Sequence, residues 1–371
     1  MVAPPPQTRI VSAGADDLRR DVTAWDALAA CAAEPNPFYE SWYLLPSFAA
    51  LDPHLRVRCL RFEVDGMLAG LLPITRQLRY YRWPMPNLSS WIHENCFLGV
   101  PLVAAGLERL FWQALLDWAD RHCGLSLFLH LRAMPLDGAL YRTLDGLCRE
   151  TGRELAVVLR EERALLQSDV PPDAYFDASL SGKKRKELRR QFARLEEQGA
   201  LRLTRLSDDA DLDRWIDDFL ALEASGWKGR AGSALASHPA TTALFRESLR
   251  GAAKRERLER LSLTLDARPI ALLANFLTPP GAFSYKTAFD EAYARFSPGV
   301  LLQRENLAML QREGIEWADS CAAADHPMIN HIWRQRRAIG RVSVAIGGKP
   351  RRALFHRIAH AERTRSDRHA D

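Results

Sequence analysis

The chain has 371 residues, of which 47% are hydrophobic and 26% charged, and its formal net charge is +5. That length predicts two domains rather than one hydrophobic core, and the composition excludes a wholly disordered or fibrous protein. Neither a basic-then-apolar leader nor an apolar run of about 18 residues occurs, so we expect a soluble, cytoplasmic protein without a transmembrane segment.

The first half of the chain predicts strands separated by helices, with one hairpin and one long loop. Helical periodicity covers residues 15–33, 41–51, 106–122 and 136–151, and strand-like patterns cover 8–12, 55–64, 67–76, 125–131 and 154–160. Asp65-Gly66 lies between two of these strands and is a strong β-hairpin signal. Residues 78–101 form an aromatic and proline-rich loop.

A Pro171-Pro172 connector separates the halves, and the second half predicts a mixed sheet. We place one domain at 1–162, a second at 163–350, and a basic, flexible tail at 351–371. Helices are predicted at 183–198, 211–225, 241–257, 300–313 and 327–337, and strands at 201–206, 258–265, 269–277, 282–289, 315–321 and 340–346.

The sequence Ser297-Pro298-Gly299 joins a predicted strand to the helix that begins at Val300. Strand, loop, helix and the following strand make a βαβ unit, whose two strands should be parallel. The backbone N–H groups of Gly299, Val300 and Leu301 would then point out of a helix N-terminus, where an anion can bind. The alternative is that Ser-Pro-Gly is simply an efficient helix start.

Positive charge is concentrated in two segments. Residues 181–206 hold nine Lys/Arg against three acids, and residues 334–371 hold eleven against three. Such clusters attract phosphates of nucleic acid, of a nucleotide cofactor or of a membrane surface, whereas a solvated helix face and a frayed tail are the plain alternatives. Six cysteines are scattered without a C-x-x-C pair, so neither a metal site nor a disulfide framework is predicted.

Three segments of the second half read LSGKKRKELRRQFARLEEQGAL, FLALEASGWKGRAGSAL and ARFSPGVLLQRENLAMLQREGIEWADS, and the predicted element order there is β-α-α-β-β-β-α-β-α-β. This order resembles the GNAT acyltransferase fold, and the three segments resemble those of the Fem-like, tandem-GNAT transferases. The first half is a looser copy of the same order. The chain therefore resembles the tandem-GNAT architecture of the Fem-like transferases and of the cellulose-biosynthesis-type acetyltransferases, most strongly from about residue 160 to 346. Residues 295–299 stand where GNAT enzymes carry a glycine-rich pyrophosphate loop.

The resemblance implies two tandem GNAT-like domains of α/β class with a mixed sheet, the second holding an acyl-CoA donor. Acetyl-CoA is the leading donor, and Arg295, Ser297, Gly299, Val300 and Leu301 would bind it. The acceptor would be an amine on a sugar, a peptide or a small metabolite, in envelope or polysaccharide-related metabolism. One alternative is an aminoacyl-tRNA-dependent Fem-type transferase that uses the basic helix at 183–194; another is a non-catalytic binding module.

Glu223 is the best candidate for the general base that amine acylation requires. It follows Phe219 and Leu220 on the apolar stripe of its helix, where an acid must find a partner or shift its pKa. A structural pairing with Lys228 is the alternative.

Further candidates lie around the predicted donor site. Lys286 stands in an apolar strand and could neutralise a phosphate or an oxyanion, or it could be an outward lysine of an edge strand. Asp319 and His326 lie at and beyond the end of the following strand, close enough in sequence to interact. Trp227 and Lys228, in a predicted turn, and Tyr285 are candidates for substrate binding.

Overall fold

The computed structural model describes residues 6–367, with side chains described as far as Glu362. The chain divides into two compact units. Unit 1 contains the chain up to Phe48, Asp52–Glu161 and the chain from Ala338 onward, and unit 2 contains Ala49–Leu51 and Glu162–Arg337. We had expected the second domain to extend to residue 350, but β-pairing places the stretch from Ala338 in unit 1.

The strands of the described chain are β1 (Thr8–Ala13), β2 (Arg58–Val64), β3 (Met67–Gln77), β4 (Asn87–Ser90), β5 (Leu102–Val103), β6 (Phe128–Pro135), β7 (Leu155–Leu166), β8 (Leu201–Leu206), β9 (Leu258–Leu265), β10 (Arg268–Thr278), β11 (Gly281–Phe289), β12 (Trp317–Asp319) and β13 (Gln335–Ala345).

The α-helices are α1 (Ala15–Arg19), α2 (Val22–Ala30), α3 (Ser41–Leu51), α4 (Glu108–His122), α5 (Ala139–Glu150), α6 (Pro172–Ser179), α7 (Gly182–Glu196), α8 (Leu212–Ser225), α9 (Trp227–Arg230), α10 (Pro239–Ala253), α11 (Pro298–Asn306), α12 (Ile329–Ile332) and α13 (Lys349–Asp367). No helix of the described residues is both long enough and apolar enough to cross a bilayer.

In unit 1 the strands pair in the order β1-β2-β3-β4-β6-β13, and β5 pairs with β3. The β2–β3 hairpin forms as predicted, because Asp65 and Gly66 adopt the left-handed φ values of 50° and 82° that a tight hairpin turn needs. β4 and β6 run parallel, with Leu88 opposite Leu129 and Ser89 opposite His130. α4 connects them, so these elements form a βαβ unit.

In unit 2 the strands pair in the order β12-β11-β10-β9-β8, and the end of β7 pairs with β12. The antiparallel meander β9-β10-β11 is the one predicted from its short connections. β11 and β12 are parallel and are connected through α11, which confirms the predicted βαβ unit. Gly281 is required at their start, because a Cβ there would lie 2.5 Å from the Trp317 ring. Both units thus combine helices with a mixed sheet, and the predicted fold class is confirmed.

Two predictions about the C-terminal region are wrong. A helix was expected at 327–337, but α12 covers only Ile329–Ile332 and the chain then enters β13. The strand predicted at 340–346 is present and pairs with β6 from Ile339↔Pro135 to Ala345↔Phe128, but it begins earlier, at Gln335. The tail was expected to be flexible from residue 351, but residues 349–367 form α13, with Phe355 and Ala359 buried. Residues 368–371 of that predicted tail lie outside the described residues.

Candidate functional site

In the βαβ part of unit 2, β11 extends beyond the end of its parallel partner β12. β12 pairs with β11 at Gly281↔Trp317, Ala282↔Ala318 and Phe283↔Asp319 and ends there, whereas β11 continues to Phe289. A bulge at Tyr285, between the pairs Ala274↔Lys286 and Asn275↔Ser284, increases the local twist of β11. We call the space along residues 284–289 of β11, beyond the end of β12, the β11 gap.

The start of α11 lies beside the β11 gap. A Cβ placed on Gly299 would meet Cδ1 of Phe289 at 3.5 Å and Sδ of Met328 at 3.4 Å, so the helix start is close to the end of β11. Ser297 has a left-handed φ of 54°, and no acidic residue stands in the first turn of α11. An anion is therefore not repelled by a nearby carboxylate of that turn.

The structure narrows the predicted anion site. The N–H groups of Val300 and Leu301 donate to the Ser297 carbonyl, at 3.0 and 3.1 Å, instead of pointing out of the helix. Of the three amides expected to hold an anion, that of Gly299 remains as the candidate. The Arg295 guanidinium lies 4.6 Å from the centre of the Phe296 ring and is exposed, so it can supply positive charge near the helix start.

Two candidates of β11 have different environments. Lys286 is half-buried, and its Nζ lies 5.7 Å from the centre of the Tyr285 ring. Tyr285 was expected to contact substrate, but it is only 2% exposed and its ring stacks on Phe276 at 4.4 Å and on Phe245 at 6.2 Å. These contacts bury the ring, so Tyr285 is a packing residue in this structure.

Glu223 is buried near the end of α8 and accepts two hydrogen bonds. Lys228 Nζ lies 2.7 Å from Oε1, and the Leu235 N–H donates to Oε2 at 2.8 Å. The pairing with Lys228 that we set against a catalytic role is therefore present. The same two bonds hold the carboxylate in one orientation and connect α8 to the segment that follows it.

A small pocket of about 40 Å³ lies where this segment meets the end of β11. It brings together the predicted residues Glu223, Trp227 and Lys228 with Thr287 and Glu291. The Glu291 carboxylate accepts from the Trp227 N–H at 2.6 Å and from Arg230 Nη2 at 2.7 Å, and these two donors lower its pKa. Trp227 itself is 57% exposed. α9 is thus held against the loop that precedes α11, with an aromatic side chain accessible beside the pocket.

His326 lies close enough to Lys228 for the ammonium to influence its protonation. Burial lowers the pKa of His326, and the Lys228 charge lowers it further. Its Nδ1 accepts from the Ile329 N–H at 3.3 Å. At neutral pH the imidazole is accordingly uncharged, with its proton on Nε2, so Nδ1 is the atom that would accept a proton, in place of the Ile329 hydrogen bond.

Asp319 does not contact His326 as its sequence position suggested. It is fully buried, and Arg163 Nη1 lies 3.4 Å from both of its carboxylate oxygens, with Arg337 Nη1 at 3.8 Å. The Cys321 N–H also donates to Oδ1 at 2.8 Å. These contacts fix the chain at the end of β12, a structural role that the sequence did not reveal.

Sequence reasoning missed Thr287 and Glu291, both of which line the pocket with Glu223. The position of Glu291, just after the predicted strand and before Ser-Pro-Gly, was the available signal. Among the residues that the structure describes, no group of three or more His, Cys, Asp or Glu side chains is arranged to hold a metal ion.

Residues 182–327 match the family model described as "Acetyltransferase (GNAT) domain". The matched residues all lie in unit 2. The resemblance inferred from the three sequence segments is therefore confirmed, and the β11 gap, α8 and α11 all lie within the matched GNAT domain.

The fold of the whole chain is similar to that of several solved structures. A crystal structure of FemX has a TM-score of 0.59 at 10% identity, covering 91% of this chain and 98% of its own. A conserved protein of unknown function from Bacteroides thetaiotaomicron has a TM-score of 0.53 at 10% identity, covering 88% and 97%. The C-terminal domain of a putative lysylphosphatidylglycerol synthetase from Agrobacterium fabrum has 0.51 at 12%, covering 93% and 96%. No curated protein sequence matches the chain.

Proposed function

We propose that the protein is an N-acyltransferase that moves an acyl group from acyl-CoA, with acetyl-CoA as the leading donor, to an amine acceptor. The observation that carries the proposal is the β11 gap, which lies beside the start of α11 within a matched GNAT domain. The use of acyl-CoA would place the reaction in the cytoplasm.

The gap suits the donor because coenzyme A carries two chemically different parts. Its pantetheine arm contains amides, which can pair with a strand edge as an added strand would. Its pyrophosphate is an anion, for which the Gly299 N–H, the positive end of α11 and the Arg295 guanidinium are suitable partners. Both parts can be accommodated side by side, because Phe289 at the end of β11 lies close to Gly299.

The reaction requires an uncharged amine to attack the thioester carbonyl. The new C–N bond forms as the C–S bond breaks, the amine loses a proton to a base, and the thiolate leaves and is then protonated. Glu223 and His326 are the proposed proton acceptors. Glu223 supplies an oriented carboxylate and His326 an uncharged imidazole, while Lys286 is proposed to stabilise the developing oxyanion.

The acceptor is proposed to approach beside α9, where Trp227 is exposed and Lys228 pairs with Glu223. The small size of the neighbouring pocket, about 40 Å³, fits the reacting amino group rather than a whole substrate. A substrate screen would identify the acceptor.

The test is a thiol-release assay with the full chain, acetyl-CoA and a panel of amino sugars, peptides and amino-acid amides. Mass spectrometry of the freshly purified protein would look for copurifying acyl-CoA. We expect amine-dependent release of coenzyme A thiol and a matching acylated product. Absence of acyl-CoA binding in calorimetry would contradict the proposal.

A second candidate function is an aminoacyl-tRNA-dependent transfer, favoured by the basic surface of α7. Six of its basic side chains are exposed: Lys183, Lys184, Lys186, Arg189, Arg190 and Arg194. Such a helix suits RNA phosphates, and its affinity for RNA would fall steeply with salt. Filter binding of tRNA over a salt series, compared with acetyl-CoA binding, separates the two donors.

A further inference from the structure

Two segments that the proposed reaction does not use meet in unit 1. They are the aromatic loop after β3 and the C-terminal helix α13. The Tyr80 hydroxyl donates to Glu362 Oε1 at 2.7 Å, and the Tyr80 and Phe128 rings make an edge contact at 5.1 Å. Phe355 packs on the same Phe128 ring at 5.5 Å. α13 is thus attached to the loop by both a hydrogen bond and aromatic packing.

Between the loop and α13 lies a cavity of about 530 Å³. We call it the loop–helix pocket, and it is lined by Tyr80, Tyr81, Arg82, Trp83, Met85, Ile358, Ala361 and Glu362. Its volume lies within the range of about 300–1,000 Å³ that is typical of ligand sites. Most of the lining side chains are aromatic or aliphatic, so the interior suits a hydrocarbon chain.

The rim of the loop–helix pocket exposes large apolar side chains. Tyr81 is 58% exposed and Trp83 is 45% exposed. Leu354, which precedes Ile358 by one helical turn and so lies on the same face of α13, is also 45% exposed. Trp, Tyr and Leu presented together at a surface are characteristic of a membrane interface, where an apolar body is buried and a polar group remains hydrated.

The charge around the same rim is positive. The Arg82 guanidinium lies 5.6 Å from the centre of the Trp83 ring, and Arg341 Nη1 donates to the Tyr81 hydroxyl at 2.6 Å. Arg357 is exposed and precedes Ala361 by one turn of α13. The acidic lining residue, Glu362, is held by Tyr80, and burial raises its pKa. Three arginines against one carboxyl group favour an anionic partner.

We propose that the loop–helix pocket docks the protein on the surface of an anionic phospholipid membrane. An acyl chain would enter between Met85, Ile358 and Ala361, while lipid phosphates would contact Arg82 and Arg341. Attachment would be peripheral, through interfacial aromatic side chains and arginines.

Nucleic acid and a protein partner fit the same observations less well. An RNA would use the arginines and the exposed rings, but it has no apolar chain for the cavity behind them. A protein segment could fill the cavity, but it would not in general require the positive rim. The combination of an apolar interior and cationic rim is matched by a lipid of negative charge.

The experiment is co-sedimentation of the full chain with vesicles of phosphatidylcholine alone and of phosphatidylcholine mixed with phosphatidylglycerol. We expect binding to the phosphatidylglycerol vesicles, weakened by added sodium chloride because salt screens the attraction. Decyl phosphate, a soluble anionic amphiphile, serves as a second probe in a calorimetric titration.

The variants are Arg82→Gln and the pair Tyr81→Ala with Trp83→Ala, and circular dichroism checks that each is folded. Arg82→Gln should weaken vesicle binding about fivefold, the effect of one basic residue near an anionic surface. The aromatic pair should weaken binding to vesicles more strongly, because it removes the inserted side chains. Arg142→Gln on α5 and Met67→Ser at the β2–β3 turn are matched controls for exposed charge and exposed apolar area, and should leave binding unchanged.

Equal binding to both kinds of vesicle, or binding that the two control changes reduce as much as the pocket changes, would overturn the proposal. Binding of decyl phosphate without any vesicle binding would also overturn it, because the site would then take a free amphiphile. Concentration-dependent dimerisation that Trp83→Ala abolishes, without vesicle binding, would instead assign the surface to a second copy of the chain.

Discussion

Both units contain a βαβ arrangement with two parallel strands, and in both one strand continues past the end of the other. The units differ in what lies beside that continuing strand. In unit 1, the chain that leaves β4 folds along β6: the Arg132 N–H donates to Ser90 Oγ at 2.8 Å and the Gly99 N–H to the Ala133 carbonyl at 3.0 Å. Gly99 must approach so closely that a Cβ there would lie 2.1 Å from the Arg132 carbonyl oxygen. In unit 2, β11 continues beyond the end of β12. In unit 1 the strand that continues past its parallel partner, β6, is thus contacted by the chain that follows β4, whereas in unit 2 the strand that continues, β11, borders the space where we propose that the donor binds.

The helices of the two βαβ arrangements differ in the charge of their first turn. α4 of unit 1 has Glu108 in its first turn, and this carboxylate accepts from the Gly106 N–H at 3.1 Å. α11 of unit 2 has no first-turn acid. A carboxylate at a helix N-terminus occupies and neutralises the position where a phosphate would bind. The comparison therefore supports donor binding in unit 2 and not in unit 1.

The largest expected effect tests whether unit 2 is catalytic. If Glu223 is the base, Glu223→Gln cannot accept the proton, and turnover per folded molecule should fall by about 10²–10⁴-fold in the thiol-release assay. Asp217→Asn, which removes an exposed acid of the same helix, is the control. Near-normal turnover of the Gln variant would remove Glu223 from the chemistry and leave His326 as the remaining candidate.

A second expected effect concerns Asp319, the last paired residue of β12. Asp319→Asn removes a buried charge that faces Arg163 and Arg337, and should lower the free energy of unfolding by about 3–5 kcal/mol. Urea titration measures this change. The exposed Asp217→Asn should change the free energy of unfolding by less than about 1 kcal/mol. A similar small effect at Asp319 would mean that the Arg–Asp contacts do not hold this end of the strand.

A third variant makes α11 resemble α4. Val300→Glu introduces a first-turn carboxylate, which should repel the donor phosphates and weaken acetyl-CoA binding about tenfold. Val300→Gln has nearly the same shape without the charge and should bind more tightly than the Glu variant. Glu108→Gln in unit 1 should leave affinity unchanged. Calorimetry in which both Val300 variants bind as the wild type does, while Glu108→Gln changes the affinity, would transfer the donor site to unit 1.

The last prediction concerns the pH dependence of stability and His130, which lies opposite Ser89 in the parallel pair of unit 1. Burial, with the nearby charges of Arg132 and Arg341, lowers the pKa of His130 to about 3. The unfolded chain protonates His130 near pH 6.5, whereas the folded chain does not. The contribution of the neutral His130 to the free energy of unfolding is therefore complete above that pH. It is lost as pH falls, at about 1.4 kcal/mol per pH unit between roughly 6 and 4. Equal pH slopes for the wild type and His130→Asn in urea titrations would contradict this assignment.

Much of the fold could be predicted because its signals are local. Asp65-Gly66 specified its hairpin, the short connections at 266–267 and 279–280 specified the meander, and Ser-Pro-Gly specified the start of α11. The C-terminal region was less predictable, because its structure depends on distant partners. β13 begins at Gln335, before the strand predicted at 340–346, and pairs with β6 from Ile339 onward. α13 packs its Phe355 on Phe128 of β6. The i, i+4 spacing of Phe355 and Ala359 was the available signal for that helix.

The candidate site was also predictable only where its contacts are local in sequence. The position of Glu223 on an apolar stripe correctly indicated its burial, which follows from helical spacing. Lys228 was predicted as its partner from nearness in sequence, and the turn at Gly226 brings the two side chains together. The contacts of Glu291 with α9, and of Asp319 with Arg163, join segments that are remote in sequence. No periodicity encodes such contacts. The burial of Tyr285 likewise depends on contacts with Phe276 and Phe245, and both faces of β11 are buried from 281 to 285, so alternation along the strand gives no signal.

Hydrogen–deuterium exchange of the full chain with and without acetyl-CoA tests the central claim most directly, because it reports on both units in one experiment. We expect slower exchange in the β11 gap, at residues 284–289, and at Gly299, with no change at 88–92 or 106–110 of unit 1. Protection confined to the segments of unit 1, with the β11 gap unaffected by saturating acetyl-CoA, would contradict the account.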